Sequence, residues 1–187
     1  MNRILVLSGH QDLAHSHISA AAIEAFRGLE NVHVHELARE YPDFSIDVKR
    51  EQRLLTEHDI VVMLFPFWWY STPAILKEWQ DKVLEHGFAY GSTGDRLHGK
   101  PFMLMISTGG DEQAYSASGY NHWPIEDFFL PFKAMVNLTG MVWQHPSLIQ
   151  GANHLTDEKL SGGIAQWMAR LQQLSTLALP VIECANV

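Results

Sequence analysis

Cysteine is almost missing from this chain. The single residue, Cys184, lies four places from the end of 187, so no internal disulfide can form and a reducing cytoplasm is the expected compartment. Long hydrophobic runs are missing too. The apolar stretch after Met1-Asn2-Arg3 stops at Ser8-Gly9-His10, too soon for a signal peptide and far too soon to cross a bilayer. Positive charge is scarce: 13 Lys and Arg face 21 Asp and Glu, a formal charge of −8. That balance excludes nucleic acid or anionic lipid bound through general electrostatics, while leaving room for a local phosphate site. Neither the Walker lysine pattern nor G-x-G-x-x-G occurs, so a nucleoside triphosphate or standard dinucleotide site is unsupported. No G-x-S-x-G elbow follows a strand, which removes a serine hydrolase of the usual kind. His10, His15 and His17 share one loop, and His33 and His35 share a strand face, yet H-E-x-x-H and paired cysteines are absent. No metal is expected, and His33 and His35 read as polar residues on a half-exposed strand. No repeat, linker or disordered stretch divides residues 1–187, a length that suits one domain.

What is present alternates strand with helix. Arg3–Leu7, Ile60–Phe65 and Pro101–Ser107 are apolar enough to be strands buried on both faces. Val32–Leu37 alternates and reads as a more exposed, edge-like strand, and Met141–Gln144 begins a fifth. Helical spacing marks Ser16–Arg27, Asp47–His58, Ala74–His86, Ile125–Leu138 (interrupted near Pro131) and Thr156–Leu174, with Thr156 as cap. Ser71, Thr72 and Pro73 offer polar caps and a first-turn proline to the third of these helices. Gly87–Lys100 and Asp111–Pro124 read as long loops. The expectation is an α/β fold: one doubly wound, five-stranded parallel sheet of order 2-1-3-4-5, with its most apolar strands central.

In such a sheet ligands bind at the carboxyl edge, where three informative loops should meet. Ser8–Ser19 enters a helix at Ser16, His17 and Ser19, where free N–H groups and the helix dipole favour an anion; taken alone, Ser16 or Ser19 reads first as an ordinary cap. Phe67-Trp68-Trp69-Tyr70 follows the central strand Ile60–Phe65. Each ring has two readings, contact with a flat apolar ligand or packing under a loop or second subunit. Thr108-Gly109-Gly110 is a backbone without bulk that a planar ligand can approach closely. A phosphate anchor, an aromatic wall and an amide-rich floor together suit flavin mononucleotide.

The segments FPFWWYSTPAILKEWQDKV, HGFAYG, Leu97-His98-Gly99-Lys100 and STGG resemble the NAD(P)H:quinone oxidoreductase family of flavodoxin-like flavoproteins. The element YPDFSIDV, from Tyr41, is similar to the bacterial branch that includes ancillary subunits of glutathione-gated potassium efflux systems. The likeness runs from Ile4 to about Gln150. It implies that His10, Ser16, His17, Ile18 and Ser19 hold the flavin phosphate and ribityl chain. It implies further that Phe67, Trp68, Trp69 and Tyr70 line the ring, largely through backbone groups, and that Thr108, Gly109, Gly110 and Asp111 complete its site. Tyr115 falls on a catalytic tyrosine position. Asn121 stands where the family places a histidine, with His122 one residue later as the substitute, and Gln11 stands where bacterial relatives usually have proline.

The activity implied is ping-pong, two-electron transfer from NAD(P)H through the flavin to a quinone. FMN is preferred over FAD because the short first loop offers no evident adenine site. The resemblance also implies a homodimer with the site at its interface, which accounts for Trp68, Trp123 and Trp143. A second reading from another class is a flavin-binding regulatory subunit on a membrane potassium efflux protein, cytoplasmic and peripheral to the inner membrane through that partner. A plain electron-carrier flavodoxin fits less well, given the long Asp111–Pro124 loop and the absence of an acidic rim.

Overall fold

A computed structural model describes residues 1–179; Cys184 lies outside the described residues. Six parallel strands form one sheet: β1 (Ile4–Ser8), β2 (Val32–Glu36), β3 (Ile60–Pro66), β4 (Pro101–Ser107), β5 (Val142–Trp143) and β6 (Ser147–Ile149). The order is β2-β1-β3-β4-β5, and β6 also pairs with β4. The three apolar runs are the central strands because every residue of β1, β3 and β4 is buried, leaving no face that tolerates water. Side chains alternate across the sheet. Leu5 and Leu7 join the core under α3 (Val48–Glu57), α4 (Ala74–Val83) and α5 (Leu130–Leu138). Ile4 and Val6 face α1 (His17–Phe26) and α6 (Asp157–Ser175). A short helix, α2 (Leu37–Glu40), follows β2.

Three helices start where a side chain can satisfy a free amide. Ser16 accepts from the Ser19 N–H at 3.0 Å, Asp47 from Arg50 at 3.0 Å and Thr156 from Lys159 at 3.3 Å. The expected caps on α4 are not used. Pro73 itself is the capping residue, with no side-chain bond, and the Ser71 N–H closes a tight turn onto the Trp68 carbonyl. α4 also ends at Val83 rather than His86, where a turn closed by Phe88 and Ala89 onto the Glu85 carbonyl replaces it. The helix expected at Ile125–Leu138 divides into a tighter 3₁₀ turn, Ile125–Phe129, and α5, with Pro131 in the first turn of α5, where its missing N–H costs nothing. The fifth strand is likewise split. β5 pairs with Pro101 and Phe102, β6 with Met105–Ser107, and Pro146, which has no N–H to donate, stands between them.

β2 is an edge strand, but His35 is not half-exposed. It is 3% exposed, and its Nε2 lies 2.9 Å from a Glu51 carboxylate oxygen that is itself wholly buried. Tyr41 donates to the same oxygen at 2.6 Å, and the Trp79 indole donates to the other at 2.8 Å. Burial alone would raise the Glu51 pKa, but the donors from His35, Tyr41 and Trp79 outweigh it and hold the carboxyl below its usual range. One carboxylate thus ties α3 to β2, α4 and the end of α2.

Candidate active site

The carboxyl ends of β1, β3, β4 and β6 border three neighbouring recesses. The largest, of about 570 Å³, is lined by His10, Ser16, His17 and Ile18, with Trp68 and Asn153 on its far side. A second, of about 320 Å³, holds the aromatic loop, Gly109, Gly110 and Tyr115. Trp68 lies on both, and Asn153 lines all three recesses, so the recesses are neighbours along the same edge of the sheet.

At the first recess the N–H groups of His17 and Ile18 have no intrahelical acceptor, as at any helix start. Ser16 is both a cap and a wall: its oxygen takes the Ser19 amide, and its own O–H remains free to donate. Ser19 is 1% exposed and does not line the recess, so its part is to fix the helix start. His10 Nδ1 accepts the Asp12 N–H at 3.1 Å, which places its proton on Nε2. Its ring meets Trp68 edge to face at 5.1 Å. Burial lowers the His10 pKa, only partly opposed by the Asp12 carboxylate, so the ring is neutral at pH 7. His15 turns to Asp12 at 2.7 Å, and no three His, Cys, Asp or Glu side chains among the described residues are placed to share an ion.

The aromatic loop does not act as one wall. Phe67 is a core residue, 6% exposed, against Phe128 and Phe129. The N–H groups of Phe67 and Trp68 bond to Ser107 and Pro66 carbonyls, so they are not free for a ligand. Trp69 and Tyr70 make the turn with φ of 50° and 62°, left-handed values rare for bulky residues. Trp69 stands 92% exposed, whereas Tyr70 stacks on Phe128 and donates to Asn121 Oδ1 at 2.9 Å.

Gly109 and Gly110 form a floor that a side chain would fill. A Cβ on Gly110 would lie 2.4 Å from the Tyr120 hydroxyl oxygen, and one on Gly109 would lie 3.2 Å from Asn153 Nδ2. Thr108 is buried and braces this turn by donating to the Gly110 carbonyl at 2.7 Å. Asp111 lies to one side, its carboxylate accepting the Ala114 N–H at 3.0 Å. Tyr115 borders the floor. Burial, then the neighbouring Tyr120 and Tyr70, raise its pKa, so its hydroxyl keeps its proton at neutral pH. His122 is exposed, with φ of 61°, and lines none of the three recesses; Asn121 does.

Sequence reasoning missed Tyr120 and the whole Gln150–Leu155 segment, including Asn153. The fifth strand was placed only at its first part, which hid the fact that a further loop leaves the same edge after Ile149. The apolar pair Leu148-Ile149 before Gln150-Gly151 is the available signal.

A family model described as flavodoxin-like fold matches residues 2–173. The chain is 42% identical over 171 residues to general stress protein 14 of Bacillus subtilis, covering 91% of this chain and 98% of that one. It is 40% identical over 170 residues to the glutathione-regulated potassium-efflux system ancillary protein KefG of Pectobacterium carotovorum, covering 89% and 93%. Among solved structures, general stress protein 14 of Treponema denticola in complex with FMN superposes with a TM-score of 0.89 at 29% identity, covering 92% and 99%. An NADPH-quinone reductase from P. pentosaceus gives 0.82 at 28%, covering 94% and 99%.

Proposed function

The chain belongs to the family of flavodoxin-like folds, and from that membership we propose that it is an FMN-dependent NAD(P)H:quinone oxidoreductase. The observation that carries the reading is that the recess at the start of α1 and the recess over the Gly109–Gly110 floor are neighbours, sharing Trp68 and Asn153. The donor set suits the group from end to end. Free amides of His17 and Ile18, the Ser16 hydroxyl and His10 Nε2–H meet a phosphate, and a floor without Cβ atoms meets a flat ring. The solved neighbour that binds FMN and the neighbour named as an NADPH-quinone reductase support the same assignment.

When bound, a flavin supplies two-electron chemistry between a nicotinamide donor and a quinone acceptor that use one face in turn. The chain's own part is positioning and charge. Ser16, His17 and Ile18 anchor one end. The amides of Gly109 and Gly110 and the Tyr115 hydroxyl would offer fixed donors to negative charge developed on a bound flavin. Tyr70, stacked on Phe128, borders the same recess. His122, outside the recesses, is a poor candidate for the proton-relay role beside the site.

The test is direct. Purified protein saturated with FMN should be yellow, lose its visible absorbance on adding NAD(P)H and regain it with a quinone. Protein that stays colourless in excess FMN ends the reading. Tyr115→Phe should slow turnover about tenfold, less than the hundredfold or more of a fully enclosed donor, while FMN affinity holds. Emptying of the site by that change would show that Tyr115 binds rather than assists.

Identity with KefG favours a second, compatible reading: a flavin-binding ancillary subunit of a potassium efflux system, cytoplasmic and held at the inner membrane by that partner. Among the described residues no helix is long and apolar enough to cross a membrane. Co-purification with the transporter would support this reading, and its failure would leave the enzyme reading standing.

A further inference from the structure

Two loops that line the aromatic recess are joined by a hydrogen bond between their side chains. The Tyr70 hydroxyl, on the turn after β3, donates to Asn121 Oδ1 at 2.9 Å, 51 residues along the chain. Both residues line the recess of about 320 Å³, as do Tyr115 and Tyr120 of the Asp111–Pro124 loop. Backbone strain gathers at the same contact. Four non-glycine residues among those described hold a positive φ, and three of them are Trp69 at 50°, Tyr70 at 62° and His122 at 61°. Such conformations persist only where the surroundings over-determine them, and they cluster where a ligand is gripped. Tyr70 has two supports, the stack on Phe128 at 5.2 Å and the bond to Asn121. On the other loop the Asn121 N–H bonds to the Ala114 carbonyl at 3.2 Å, and the His122 N–H to the Gly119 carbonyl at 3.0 Å. Asn121 Nδ2 is enclosed without a partner, a further cost at the same place. A phenylalanine at position 70 would keep the stack and lose the link.

We propose that Asn121 is a positioning residue that acts through Tyr70: their bond clasps the two loops and limits the size of acceptor ring the recess admits. A flavin ring over the Gly109–Gly110 floor fills part of the recess, so the space left for an acceptor is set by how far the two loops stand apart. A quinone of one ring fits the clasped arrangement. A quinone of three rings needs the loops to part, which breaks the bond. The choice between acceptors rests on the reductase reading; the clasp itself does not.

Two variants separate the parts. Tyr70→Phe removes only the donor, and Asn121→Leu removes the acceptor at similar volume. Amide hydrogen exchange of the flavin-free protein reads the clasp without any turnover. Tyr70→Phe should speed exchange at the Asn121 amide, and Asn121→Leu at the Ser71 amide that closes the turn onto Trp68, each about fivefold, the worth of one neutral hydrogen bond. Exchange within β4 should match the parent, which reports an intact fold. Acceleration confined to the substituted loop, or none at all, overturns the clasp. For the acceptor, FMN-loaded protein is reduced with dithionite and reoxidised without oxygen by duroquinone, which has one ring, or phenanthrenequinone, which has three. Each variant should shift preference toward the three-ring quinone by about fivefold, in apparent binding rather than in the limiting rate. The double variant should match either single one, because both changes break the same bond. An unchanged preference, or effects that multiply, overturns the specificity role even where the exchange result stands. Reduced protein that neither quinone reoxidises removes the reductase and the acceptor role with it, and the exchange result alone then decides the clasp.

Discussion

Glu51 and His33, neither of which lines a recess, tie stability to charge in opposite ways. Glu51 is an enclosed carboxylate that three donors compete to satisfy, from His35, Tyr41 and Trp79. Glu51→Gln places an NH₂ group against at least one of these donors. The expected loss is about 3 kcal/mol, within the range for breaking a buried charged contact, read as a lower urea midpoint. A loss below about 1 kcal/mol would mean the network is ornamental. His33 works in the opposite sense. Burial lowers its pKa, and the neighbouring His58, His35 and Arg50 add to the shift, only partly offset by Glu51. Below the ordinary imidazole value of about 6.5 the unfolded chain takes a proton that folded His33 resists. The unfolded state then binds more protons, so stability is lost as pH falls through that value and is restored above it. His10 acts in the same direction. Thermal midpoints measured from pH 8 to 5 should decline, and His33→Gln should flatten part of the decline; an equal slope in both proteins would remove His33 from the account.

At the scale of elements, the turn after β3 stores strain beside the site. Trp69 and Tyr70 hold left-handed backbone angles in a two-residue turn where Asn-Gly is usual, at roughly 1–2 kcal/mol per residue. Tyr70 recovers part of that through Phe128 and Asn121, but Trp69 has almost no neighbours to lose. Trp69→Asn should therefore raise stability by about 0.5–1 kcal/mol, because Asn tolerates this conformation, while weakening FMN binding or turnover. Gain of stability without functional loss would show the indole to be incidental. Such strain is invisible in a string of letters. The central strands were legible because β1, β3 and β4 are apolar on both faces, and the α1, α3 and α6 starts because each has a short polar cap. The β5–β6 break was not, since two brief segments pair with the same strand around a proline. The His35–Glu51 contact was missed for a related reason: periodicity reports a residue's side of the strand, and only the packed helix α3 supplies a buried acid to meet it. For the crevice, Ser16, His17, Trp68 and the Gly pair were readable from position after a strand, whereas Asn153 required knowing where the last strand ends.

For the whole molecule the open question is what meets the exposed aromatics. Trp69, Tyr120, Trp123, Leu130 and Leu138 are each more than 60% exposed, and they follow the crevice rim and α5. We propose that a second copy covers part of this surface, since large exposed apolar side chains in a group mark association sites. Sedimentation should then give twice the 21.2 kDa of one chain. Charge supplies an independent check. Each chain carries −8, so two copies repel, and that repulsion is screened by salt whereas apolar burial is not. Raising ionic strength from about 0.01 to 0.15 M, which shortens the screening length from about 30 to 8 Å, should tighten the dimer. In a two-fold interface each substitution occurs twice. Trp123→Glu should therefore loosen the dimer by tenfold or more if the indole is a central anchor, with the thermal midpoint of the dissociated chain little changed because that side chain is mostly exposed on its own subunit. A chain that sediments as a monomer at 0.15 M salt and tens of micromolar would leave the aromatics to ligand alone, and Trp69→Asn would then be the variant to show it.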